Sequence, residues 1–157
     1  MTAAPTADPF DLERFVRAQE GVHDRAVAEL RSGRKYGHWM WFVFPQLEGL
    51  GSSATARRYA VSGAQEARAY LAHPLLGPRL REAAEAALHA GRIEPALEAR
   101  RLMGTPDDLK LRSSATLFAA VADDPAPFRA LLDRYYDGQD DPRTLAILAA
   151  GQAGTTA

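Results

Sequence analysis

The sequence predicts an all-α fold, a compact single-domain bundle of about six to eight short helices over residues 9–150. Three observations carry this. Apolar residues recur at helical spacing through most of the chain. Three successive segments open with a capping residue followed by proline, the usual grammar of a helix start. Only one run, Trp39 to Phe44, has the composition of a strand, and it has no second run to pair with.

Taken in order, residues 1–8 are an Ala/Thr/Pro leader expected to be disordered, as is the tail at 151–157. Leu12, Phe15, Val16, Gln19, Val22, Ala26, Val27 and Leu30 then hold one helical stripe. Gly21 should bend or divide it and Gly33 should end it. The aromatic run follows, and Pro45 disfavours helix at Phe44. Ser52 or Ser53 can cap a helix carrying Ala56, Arg57, Tyr59 and Ala60. Ser62, with Gln65 three residues on, reads as the capping box of the next. His73-Pro74 opens a longer Leu/Ala-rich helix to Gly91, and Glu94 to Met103 makes a short one stopped by Gly104. Thr105-Pro106, Asp124-Pro125 and Asp141-Pro142 announce the last three. Their apolar faces carry Leu111, Ala115 and Phe118, then Phe128, Leu131 and Leu132, then Leu145, Ile147 and Leu148.

Composition narrows the function classes. A net charge of -1 gives no global attraction to DNA, RNA or anionic membrane. With no cysteine, disulfides, thiolate nucleophiles and Cys-ligated metals are excluded. The longest apolar run is far short of the roughly 20 residues of a transmembrane helix. Met1 to Asp8 has no secretion signal, so a cytoplasmic location is expected. The P-loop, dinucleotide, zincin and hydrolase-elbow motifs are absent. His23, His38, His73 and His89 show no ligand spacing, so neither a metal nor a cofactor is expected.

Two segments can carry chemistry. The first, Gly37 to Gln46, holds both tryptophans of the chain, with His38 and Gln46 as polar flanks and Arg34 and Lys35 just before it. Cations beside aromatics suit an anionic or nucleotide-like ligand stacked on an indole. The same residues also suit a small helical core, with the cations complementing a helix C-terminus. The second, Asp107 to Thr116, gathers two carboxylates, two cations and three hydroxyls on one helix. Its aspartates sit where the helix dipole favours them, but Ser113 and Ser114 are hydroxyls in mid-helix, where they either back-bond or reach a polar partner.

The order Asp11-Leu12-Glu13-Arg14-Phe15, His38-Trp39-Met40-Trp41-Phe42-Val43-Phe44-Pro45-Gln46, Ala56-Arg57-Arg58-Tyr59, His73-Pro74-Leu75-Leu76-Gly77-Pro78 and Asp107-Asp108-Leu109-Lys110-Leu111-Arg112-Ser113-Ser114 resembles the bacterial family catalogued as domain of unknown function 1810. The resemblance covers about residues 8–149. It implies a compact, mainly helical domain and brings no established activity. Some members carry a calpastatin label, which does not suit a folded, tryptophan-rich chain. Where the family tends to have Met after the serine pair, this chain has Ala115.

The matching residues include Gln19, Arg34 or Lys35, His38, Gln46, Arg57, Tyr59, Lys110, Ser113 and Ser114, more polar than packing alone requires. The expectation is a pocket between the His38-Gln46 segment and the Lys110-Thr116 helix. There Trp39 or Trp41 would stack a planar ligand, Arg57 and Lys110 would hold its phosphate or carboxylate, and His38 and Gln46 would orient it, with Tyr59, Ser113 and Ser114 among the binding residues. Whether such a site is catalytic stays open. The competing readings are a noncatalytic interaction or homodimerising module with an exposed aromatic patch, and a buried polar network that binds nothing.

Overall fold

The computed structural model describes residues 7–154, and among them every regular element is a helix. Residues 1–6 of the leader expected at 1–8 and 155–157 of the tail expected at 151–157 lie outside this range, while 151–154 belong to the last helix. In order the helices are α1 (Glu13–Gln19), α2 (His23–Ser32), α3 (Met40–Val43), α4 (Ala54–Arg58), α5 (Ala64–Ala72), α6 (Leu76–Ile93), α7 (Ala99–Met103), α8 (Asp107–Val121), α9 (Ala126–Tyr135) and α10 (Pro142–Gly154). Ten exceed the expected six to eight because α3, α4 and α7 are single turns of four or five residues. The last helix continues past the boundary expected at 150.

Local chemistry explains most boundaries. Gly21 and Gly33 both take left-handed backbone, with φ of 70° and 88°, and so separate α1 from α2 and end α2 as the stripe predicts. Ser53 caps α4, its hydroxyl accepting from Ala56 N at 3.0 Å. Ser62 does not cap α5: its N–H and hydroxyl both donate to Glu66 Oε1, and Gly63 precedes the helix without a side-chain cap. His73 Nδ1 instead caps the start of α6, accepting from Leu75 N and Leu76 N. Pro106 and Pro125 stand one residue ahead of α8 and α9, while Pro142 is the first residue of α10. The strand-like run Trp39 to Phe44 forms α3, and the only ladder contact among the described residues is a bridge between Leu47 and Val61.

The long helix α6 is the axis. It packs against α2, α5 and α9, while α8 packs against α5, α7, α9 and α10. Alanines on its buried face let these neighbours approach closely. A chain of aromatics, Phe15, Tyr70, Phe118 and Phe128, runs through the core with ring centroids 5.1 to 5.8 Å apart. Each buried ring contributes roughly 1.5–3 kcal/mol of transfer free energy. Gln19 ties polar groups together inside: its Nε2 donates to Phe42 O and Tyr70 Oη, and Arg79 Nη1 donates to its Oε1. Among the described residues no helix is long and apolar enough to cross a membrane.

Candidate ligand groove

The segment leaving α2 is pinned before it reaches its aromatics. Lys35 N donates to Leu102 O at 2.7 Å, holding the segment against α7. The Lys35 side chain, 6% exposed, turns inward with Nζ 2.7 Å from Asp107 Oδ2, 2.6 Å from Gly37 O and 4.9 Å from the centre of the Trp39 ring. One oxygen of Glu29 accepts from Tyr36 N, Gly37 N and Trp39 Nε1 at 2.7, 2.8 and 3.0 Å. The turn needs glycine at position 37, since a Cβ there would lie 2.7 Å from Trp39 Cδ1.

Partial burial of Glu29 disfavours its charge, but the N–H donors of Gly37, Tyr36 and Trp39 and the Lys35 ammonium outweigh it and hold the carboxyl below its ordinary range. A depressed carboxyl stabilises the fold above its unfolded pKa, here 4.5, and that contribution disappears as pH falls through the folded value. Chemical denaturation should therefore give a midpoint that drops on acidification below pH 4.5, with a shallower drop in Glu29→Gln. Equal acid sensitivity in the two proteins would discount this role for Glu29.

Asp107 joins this anchor to α8. Its Oδ2 binds Lys35, and its Oδ1 lies 3.8 Å from Lys110 Nζ. That ammonium sits 5.2 Å from the centre of the Trp41 ring, so the aromatic segment and α8 do meet. Between them opens a groove of about 310 Å³. One wall is Gln46, Leu50 and Gly51; the other is Pro106, Leu109, Lys110, Arg112 and Ser113; Asp141 and Arg143 close the end.

The closing end is well ordered. Asp141 Oδ2 accepts from Ser113 Oγ at 3.0 Å, Thr144 Oγ1 at 2.5 Å and Thr144 N at 3.2 Å. Its backbone N–H donates to Thr116 Oγ1. Two hydroxyls of α8 thus fix the start of α10. Burial raises the Asp141 carboxyl, but the Thr144 and Ser113 donors and the Arg112 charge prevail and hold it below the usual aspartate range. Arg112 is itself engaged, with Nε on Gln139 O and Nη2 on Asp140 O. Lys110 and Arg143 are the cations with spare capacity, since among the described residues Arg143 has no ion-pair or hydrogen-bond partner.

Of the nine candidate residues, Gln46, Lys110 and Ser113 line the groove. Trp41 is half-buried beneath Lys110. Trp39 is placed differently from the stacking surface expected of it: it is 1% exposed, with its indole N–H taken by Glu29. Tyr59 packs on Phe15 and Phe42, Arg57 is exposed on α4, and His38 is exposed outside the groove lining. Ser114 points away from the groove walls, is 1% exposed, and its hydroxyl has no partner among the described residues. An unsatisfied buried hydroxyl costs roughly 1–3 kcal/mol. Ser114→Ala should therefore raise the melting temperature; a loss of stability would show that the hydroxyl has a partner.

Sequence reasoning missed Asp141 and Arg143. Asp141-Pro142 read only as a helix start, and nothing local says that α10 folds its first turn against α8. It also missed His23, Asp24 and Glu82, which offer one ligand atom each within 4.8 Å of one another. There His23 Nε2 and Glu82 Oε1 are 2.8 Å apart and tie α2 to α6, while both carboxylates face solvent.

The family model described as a protein of unknown function (DUF1810) matches residues 9–148. The chain belongs to this family. As a DUF1810 protein it is similar to the conserved hypothetical protein Rv1873 from Mycobacterium tuberculosis, whose crystal structure superposes with a TM-score of 0.85. The two are 55% identical, over 90% of this chain and 99% of that one. No curated protein matches the DUF1810 chain.

Proposed function

We propose that this DUF1810 protein binds a small anionic ligand in the groove between Gln46 and α8. The observation that carries the reading is the pair of under-used cations, Lys110 and Arg143, in one concave site with the amide of Gln46 and the half-buried indole of Trp41 beside it. Arg14, Lys35 and Arg134 elsewhere in the molecule, and Arg112 in the groove wall itself, each hold carbonyls or carboxylates at hydrogen-bond distance. Among the described residues Lys110 is held only by a 3.8 Å contact to Asp107 and by the ring of Trp41. A cation with incomplete local pairing in a cleft is a binding group rather than a strut.

Thermal-shift measurements with inorganic phosphate, mononucleotides and small carboxylates test this. A ligand at 100 times its Kd adds about 2.7 kcal/mol, which for a chain of this size raises the melting temperature by roughly 5–10 °C. Lys110→Ala should weaken binding by about tenfold or more, the loss of one charge-assisted hydrogen bond, while leaving the unliganded melting temperature nearly unchanged. If no anion shifts the wild-type protein, the groove is not an anion site.

A further inference from the structure

We propose that the ligand is a phosphorylated sugar, recognised through its hydroxyls as well as its phosphate; this rests on the anion-binding reading above. A site for a bare oxyanion gathers donors and excludes carboxylates, because like charges at contact distance repel. This groove does the opposite at one end. Asp141 lines it, and while Oδ2 is occupied by Ser113 and Thr144, Oδ1 has no donor among the described residues. The carboxyl stays ionised at neutral pH. A carboxylate oxygen open to the groove can accept from a ligand donor in place of water, and a sugar hydroxyl is a neutral one.

Gln46 points to the same chemistry. Its backbone oxygen accepts from Val61 N, but its side-chain amide has no partner among the described residues and can both donate to and accept from a hydroxyl. Lys110 on the α8 wall and Arg143 beside Asp141 at the closing end supply the charge for a phosphate. Leu50 and Leu109 give apolar contact for the C–H face of a sugar ring. Size agrees: about 310 Å³ is at the bottom of the usual range of roughly 300–1,000 Å³ for ligand pockets, room for one ring and one phosphate.

The test is calorimetric titration of the full chain with ribose 5-phosphate, inorganic phosphate and ribose, in the wild type and in Asp141→Asn. Asparagine keeps the capping role of Asp141 and removes its charge. Ribose 5-phosphate should bind at least tenfold more tightly than phosphate, and ribose alone should not bind measurably. In Asp141→Asn the order should compress from both sides, phosphate gaining affinity and the sugar phosphate losing it. Gln46→Ala, which leaves α10 untouched, should weaken sugar phosphate binding by more than it weakens phosphate binding. Phosphate binding as tightly as ribose 5-phosphate, or Asp141→Asn strengthening both alike, overturns the sugar assignment and leaves the anion site standing. Failure of both phosphates to bind the wild type overturns the two readings together.

Discussion

Glu66→Ala should destabilise the protein by about 3 kcal/mol, because it leaves a half-buried guanidinium without its counter-charge. Arg14 Nη2 and Glu66 Oε2 are 2.8 Å apart, and the Glu66 side chain is 4% exposed. Arg14 spends its remaining donors on chain ends: Nε on Arg58 O, Nη1 on Phe10 O and Asp11 O, and Nη2 also on Ala60 O. Glu66 Oε1 meanwhile takes the N–H and hydroxyl of Ser62. One ion pair thus fastens the entry to α1, the exit of α4 and the start of α5. Removing the carboxylate strands the positive charge and frees two donors of Ser62. Arg14→Met combined with Glu66→Leu should recover much of the loss, since replacing both partners by apolar groups avoids the buried charge. Denaturant titration measures both, and a single-mutant loss under 1 kcal/mol would show that water reaches the pair.

That network shows where the sequence stops being readable. Caps and breaks act within a few residues, so Gly33, Ser53 and Asp141 announce their helix ends from sequence alone. The aromatic run does not announce its structure, because Trp39 to Phe44 is apolar at nearly every position and carries neither a period of two nor one of 3.6. It forms one turn of helix since burying Met40 and Val43 while leaving Trp41 and Phe42 half-covered requires a turn rather than a strand. Ser62 shows a local signal losing to a distant one. Gln65 makes the capping box legible, but Glu66, already drawn in by Arg14 from 52 residues away, takes the Ser62 donors instead.

The candidate site divides in the same way. Gln46, Lys110 and Ser113 were legible because they are polar residues among apolar ones in two recognisable segments. Trp39 and Trp41 stand two residues apart with the same chemistry, yet one is sealed against Glu29 and the other lies under Lys110. What separates them is the Glu29 carboxylate, ten residues back on α2. Asp141 and Arg143 enter the groove only because α10 docks on α8 through Thr116 and Ser113, a tertiary fact with no local sign.

Asp107→Ala should cost about 3 kcal/mol, near the low end for breaking a buried ion pair, and should separate the anchor of the groove from its binding surface. The low end applies because Lys35 keeps two partial substitutes, the carbonyl of Gly37 and the face of Trp39, after the carboxylate is gone. Asp107→Asn should cost less, since the amide oxygen can still accept from Lys35. Neither change removes a cation from the groove. Both delete the carboxylate nearest Lys110, at 3.8 Å, so the potential felt by an incoming anion becomes more positive. Asp107→Asn should therefore lower the denaturation midpoint while binding phosphate at least as tightly as the wild type. Lys110→Ala should do the reverse, keeping the midpoint and losing the anion. Parallel denaturation and titration of the two variants decide the matter: if Asp107→Asn weakens phosphate binding as much as Lys110→Ala does, Asp107 is not simply an anchor for Lys35, and the placement of Lys110 over Trp41 depends on it.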